Sequence, residues 1–203
     1  MNRPTLRRTL PMLALLLTTY CGGSSSEQFD AKAPDVQFID QYNPAGKDAH
    51  YNGTEYCGPA VLAGMAKARG LSGGLSDADL VNRLAQLAGT DPRSGTTGNG
   101  MIAALHSLGL RTDANQGADA NWIDNQLTSG HDIIANGDFY SVPGRENPAL
   151  HAGHYIAITA AMGGWSSYKV TDPADGNVTS MTDSEIEKFI RSAPGGGFTI
   201  SAW

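Results

Sequence analysis

Cys57 stands immediately before Gly58-Pro59 and the apolar run Ala60-Val61-Leu62, a spacing that predicts a helix over residues 58–69 with the cysteine at its start. A thiol there meets the positive end of the helix dipole, which favours the thiolate, the nucleophilic form. The chain has two cysteines, and the other, Cys21, lies in the N-terminal leader. The mature domain therefore offers Cys57 no partner for an intramolecular disulfide. A cysteine nucleophile needs a base within hydrogen-bond reach, and the base needs a group that orients it. His154 opens residues 154–162 (HYIAITAAM), which read as a strand. Asp172 follows residues 167–171 (SYKVT), which read as the partner strand, and precedes Pro173. If the two strands turn at Gly163-Gly164, facing residues have numbers adding to 327. His154 then faces position 173, and a loop one residue different sets His154 opposite Asp172, within side-chain reach.

Acyl transfer also needs a donor for the charge that develops on the attacked carbonyl. Gln41 and Asn52 both precede Cys57 in loop or strand-end positions, and either amide could supply it. The backbone N–H of Cys57 is a second candidate donor. His151 lies three residues before His154, but one cysteine and scattered histidines do not make a zinc set, and no metal or other cofactor is expected.

Positioning these groups falls to a modest set of elements. Residues 36–39 (VQFI) read as a short strand ending at Asp40-Gln41, followed by a loop to Tyr56 rich in Asn, Gly and Asp. In the first helix Leu62, Met65 and Ala66 share a face, and Gly70 stops it. Further helices are expected from Ser76 to Gly89, with Ser76 and Asp79 as a capping pair, then over 100–108 and 120–127. Residues 133–135 read as a strand, Thr182 and Glu185 as a capping box opening a helix to Ile190, and residues 198–203 as a closing strand. Helices first and an antiparallel sheet second make an α+β fold over residues 34–203.

With 203 residues, 40% hydrophobic and 17% charged, the chain has one domain's worth of core. A net charge of −6 argues against a nucleic-acid partner. Arg3, Arg7 and Arg8 precede an apolar core at residues 10–17, the pattern of a signal peptide over residues 1–21. Cys21 stands where a bacterial lipoprotein signal places its lipidated cysteine, although Thr18 and Tyr20 depart from that pattern. Ordinary cleavage near Gly23 is the alternative. Residues 22–33 read as a flexible linker. Both routes put the domain outside the cytoplasm.

Taken together, Tyr56-Cys57-Gly58-Pro59-Ala60, Gly153-His154-Tyr155 and Thr171-Asp172-Pro173 with Gly176 resemble the papain-like cysteine peptidases. The resemblance is strongest to the branch related to the double-glycine-leader peptidases that process bacteriocins. Lesser matches are residues 36–41, residues 100–109 and residues 127–136 (LTSGHDIIAN), so that the likeness spans roughly residues 35–175. It implies a papain-like fold in which Cys57 attacks, His154 exchanges the proton, Asp172 holds the imidazole and Gln41 supplies the oxyanion donor. The loop between Gln41 and Cys57 is longer than in that branch, which keeps Asn52 as the rival. The branch is usually fused to a transporter, and no membrane-spanning or nucleotide-binding segment is read here, so double-glycine specificity is not carried over. Peptides are the expected substrates. An amidase or acyl transferase with the same triad, or a peptide-binding module without turnover, is the alternative.

Overall fold

A computed structural model describes residues 29–34, 36–42, 53, 55–117, 119–164, 166–175 and 178–203. The expected signal peptide with Cys21, most of the linker, Asn52 and Gly176 lie outside the described residues. The elements run β1 (Phe29–Lys32), α1 (Cys57–Ala68), α2 (Asp77–Leu87), α3 (Gly98–Ser107), β2 (Thr112–Gln116), α4 (Ala120–Thr128), β3 (Asp132–Asp138), β4 (Gly153–Met162), β5 (Ser167–Thr171), β6 (Val178–Thr182), α5 (Asp183–Arg191) and β7 (Phe198–Ala202). A 3-10 turn, Phe139–Ser141, follows β3. The strands form one antiparallel sheet in the order β2-β7-β3-β4-β5-β6. β1 pairs with residues 160–162 of β4, beyond the stretch that β3 covers.

The core lies on both faces of the sheet. Ile134, Tyr155, Ala157 and Ile200 pack with Leu62, Met65, Leu84 and Met101 of α1, α2 and α3. Ile133, Ala135, Ile156, Ile158 and Val170 pack with Ile123, Leu127, Phe189 and Ile190 of α4 and α5. Double coverage explains why β3 and β4 carry uninterrupted apolar stretches, residues 133–135 and 155–158, rather than alternating ones. The helical layer and antiparallel sheet expected from the sequence are present, with the addition that α4 and α5 cover the second face.

Two expected assignments change. Residues 29–32, placed in the linker, form β1, because antiparallel pairing with the end of β4 supplies their hydrogen bonds. Residues 36–39, expected as a strand, run without strand pairing against α1, where Gln37 N–H donates to the Gly64 carbonyl at 3.3 Å. Gly64 permits this approach, since a Cβ there would lie 2.2 Å from the Gln37 carbonyl oxygen. Gly64→Ala should therefore destabilise the protein by about 2 kcal/mol in urea titrations. The clash outweighs the gain of about 1 kcal/mol that alanine brings to a helix interior.

Candidate active site

Cys57 is the first residue of α1, and its helix start is unusual. Ser76, Thr97, Asp119 and Thr182 cap α2, α3, α4 and α5 through their side chains, and Thr182 with Glu185 completes the expected capping box. The N-cap of α1 is Tyr56, which makes no side-chain cap bond. The first intrahelical bond runs from Ala60 N–H to the Tyr56 carbonyl at 2.9 Å, and Pro59 has no N–H to satisfy. The N–H groups of Cys57 and Gly58 thus precede the ladder at the positive helix end, where backbone donors suit an anion.

His154 is the second residue of β4 and Asp172 follows the last residue of β5. Their encounter depends on a β-bulge. The turn is longer than expected: Met162 pairs with Ser167 and Ala160 with Lys169. Between Ile158 and Ala160 the register shifts by one, so that Ala157 pairs with Thr171. Continuing this register sets Asp172 beside Ile156, a diagonal neighbour of His154 on the same side of the sheet. Without the bulge Asp172 would fall on the opposite side. The simple hairpin register expected from the two glycines is corrected in this way, and its chemical outcome is kept. His154 Nε2 is 2.8 Å from Asp172 Oδ1.

Asp172 is held at both oxygens. Oδ1 also accepts the Ala174 N–H at 2.8 Å, and Oδ2 accepts from Arg145 Nη1 at 2.9 Å. Arg145 reaches Asp175 with its other terminal nitrogen and lies over the Phe139 ring, 4.6 Å from its centroid. Phe139 in turn meets the His154 ring edge to face, with centroids 5.1 Å apart. Burial pushes the Asp172 carboxyl up, but its bond to His154, the His154 charge, the Ala174 N–H and Arg145 together bring it below the ordinary carboxylate value. Burial likewise lowers His154, yet the hydrogen bond and charge of Asp172, followed by the hydrogen-bonding and charge interactions with Cys57, push it up to about 9. With Nε2 committed to Asp172, Nδ1 is the ring nitrogen left for the thiol.

Gln41 is buried beside the same cleft, a space of about 370 Å³ lined also by Tyr42, Glu55, Tyr140 and His154. Its backbone N–H donates to the Pro173 carbonyl at 2.9 Å, next to Asp172. Its side-chain Nε2 donates to the Gly53 carbonyl at 3.1 Å, and the same carbonyl accepts Tyr56 N–H at 3.1 Å. Gly53 thereby ties Gln41 to the residue before Cys57. A Cβ at Gly53 would sit 2.6 Å from Tyr42 Cα, with φ at +21°, so glycine is required. One amide hydrogen of Gln41 serves Gly53, and no bond within the described residues takes the second.

The structure therefore brings together Cys57, His154, Asp172 and Gln41. Sequence reasoning missed Arg145, Phe139 and Gly53, which act through loop contacts that no local pattern signals. The exposures of Cys57, His154, Asp172 and Gln41 are 8%, 2%, 1% and 2%, so their interactions operate largely out of water, where charge counts for more. If Gln41 is the oxyanion donor, Gln41→Ala should lower kcat for an acyl substrate about 100-fold. It should leave alkylation of Cys57 by iodoacetamide nearly unchanged, because alkylation forms no oxyanion. Equal losses in both assays would point to a structural role instead.

No protein-family model matches the chain, and a search of curated proteins finds no significant relative. Solved structures do match. The chain is similar to the peptidase domain of Streptococcus ComA, a bifunctional ABC transporter involved in quorum sensing, at 23% identity and a TM-score of 0.54, covering 82% of this chain and 98% of that one. It is similar to a double-glycine-motif protease from an AMS/PCAT transporter, solved with its leader peptide, at 14% identity and a TM-score of 0.54, covering 87% of this chain and 97% of that one. A C39-like peptidase from Bacillus anthracis matches at 11% identity and a TM-score of 0.54, covering 85% of this chain and 96% of that one. The chain has the papain-like fold of these peptidase domains.

Proposed function

We propose that the protein is a cysteine peptidase in which Cys57, His154 and Asp172 form the catalytic triad. The observation that carries this reading is the placement of Cys57 at the uncapped start of α1, beside an imidazole bonded through Nε2 to a buried carboxylate. With the His154 pKa raised to about 9, its proton is held at neutral pH, and the reacting state is a thiolate beside an imidazolium. Cys57 Sγ attacks the scissile carbonyl carbon and forms the S–C bond, and the oxygen takes the negative charge. The Cys57 N–H and the second amide hydrogen of Gln41 stabilise that oxyanion. The C–N bond then breaks as His154 gives its proton to the departing amine, leaving a thioester. A water molecule, losing a proton to His154, attacks the thioester, and the carboxylic acid leaves as Cys57 regains the thiolate. The sequence requires no cofactor.

Peptides are the substrates in this reading. The likeness to a protease solved with a leader peptide supports it, as does a cleft open along Tyr42, Tyr140 and Gly153. The leader features place the domain outside the cytoplasm, either free or tethered through a lipid on Cys21. Mass spectrometry of the mature N-terminus tests this part, with an unmodified start at or after Ser24 excluding the tether. For the activity, the full chain should be incubated with a peptide library and the products read by mass spectrometry. Discrete cleavage products absent from the Cys57→Ala control are expected. Rapid alkylation of Cys57 without any cleavage would transfer the site to an amidase or acyl transferase.

A further inference from the structure

Arg145 sits in the loop after the 3-10 turn, where its N–H donates to the Val142 carbonyl at 3.0 Å and the preceding Gly144 adopts φ +85°. Gly144 N–H donates to Glu146 Oε2 at 2.9 Å, so the turn that aims Arg145 inward is itself fixed. The guanidinium is largely buried against Asp172. We propose that Arg145 is a positioning residue, a clamp that fixes the Asp172 carboxylate through its fork and the His154 ring through Phe139. The proposal rests on the triad reading above.

The geometry gives Arg145 work that no other described contact does. A carboxylate held only at Oδ1 can pivot about that atom and lose alignment with His154 Nε2. The bond from Arg145 Nη1 to Oδ2 closes that freedom. Asp175 anchors the far end of the fork, and the Phe139 ring, in contact with both guanidinium and imidazole, limits tilting of His154. Arginine suits this task because its donors are planar and rigidly spaced, whereas lysine offers a single point of charge.

Removing Arg145 has two opposite electrostatic consequences. Its positive charge screens Asp172, so its loss alone would strengthen the hold of Asp172 on the imidazole proton. Loss of the clamp lets Oδ1 drift from Nε2 and weakens that hold. The clamp assignment requires the second to win. Among the described residues, the other ionisable groups around His154 are Asp172 and Cys57 in contact with it, and, farther out, Tyr42 from the segment before Cys57, Tyr155 on β4, and Glu55, Arg93 and Tyr140 at the cleft wall.

The test uses the full chain with Arg145→Met and Arg145→Lys. Alkylation of Cys57 is followed against pH with iodoacetate and with neutral iodoacetamide. An imidazolium attracts the anionic reagent, so the iodoacetate-to-iodoacetamide rate ratio falls where His154 loses its proton. For Arg145→Met the midpoint of that fall should move about one unit lower than in the wild type, and Arg145→Lys should recover part of the shift. An unchanged or higher midpoint in a folded Arg145→Met protein overturns the clamp. If Arg145→Met does not fold, Asp175→Asn, which alters an exposed anchor, should give a smaller shift in the same direction, and no shift overturns the proposal. A wild-type ratio with no pH-dependent fall contradicts the triad reading itself.

Discussion

Cys57→Ala should abolish peptide cleavage, with a loss in kcat of about 10⁴-fold or more, while the melting temperature changes by only a few degrees. The chemical step depends on a covalent bond to Sγ, and no other nucleophile in the described cleft is paired with the imidazole. His154→Ala should cost about as much, because nucleophile and base act as a unit and their losses do not add. The double variant should be no slower than either single one. The thermal effect is small because Cys57 is a small side chain at a helix end, and its truncation removes one sulfur atom from an already tight environment. Comparing initial rates with melts separates the two effects.

Asp172→Asn is expected to have the largest effect after those two, with kcat lower by roughly 10²- to 10⁴-fold. An amide can still touch Nε2 but brings no negative charge, and it can present its NH2 to the ring and favour the wrong tautomer. The pH dependence carries the diagnosis. His154 is raised from an ordinary 6.5 to about 9. The stability that its protonated form contributes is therefore complete below pH 6.5 and is lost as pH rises through 9. By linkage this amounts to about 3 kcal/mol. Asp172 behaves oppositely. Its folded pKa lies below the ordinary 3.8, so its contribution is present above that value and fades as pH falls through the lowered one. The wild type should thus melt progressively lower between pH 7 and 10, and Asp172→Asn should lose most of that slope. Its alkaline activity limb should also move down from about 9, because the main support of the imidazolium is gone. A limb that stays in place would mean that Asp172 does not govern His154.

Much of this arrangement is legible in the residues. Gly58-Pro59 after Cys57 marks a helix start, the Ser76–Asp79 and Thr182–Glu185 pairs mark two more, and the Gly163-Gly164 turn joins two apolar strands. These are local signals, and the helices and hairpin follow them within a few residues. What escapes is non-local. β2 (TDANQ) is polar and becomes a strand only through pairing with β7. Residues 36–39 are apolar enough for a strand, but the neighbour they meet is the backbone of α1 at Gly64. The bulge that sets His154 and Asp172 on one side leaves no mark in a run as uniform as HYIAITAAM. Arg145 lies 27 residues from Asp172 in a loop of turn formers, where only the folded contacts reveal its role. Gln41 was readable as a candidate donor by residue type, while its link to Cys57 through Gly53 was not.

The alkylation rate of Cys57 in the full chain at pH 6, followed by peptide mapping that separates it from Cys21, tests the central claim most directly. A thiolate held by His154 and Asp172 should form its adduct at least about tenfold faster than free cysteine at that pH, despite being mostly buried. His154→Ala should remove the advantage. A Cys57 that reacts more slowly than free cysteine, with or without His154, would contradict the account.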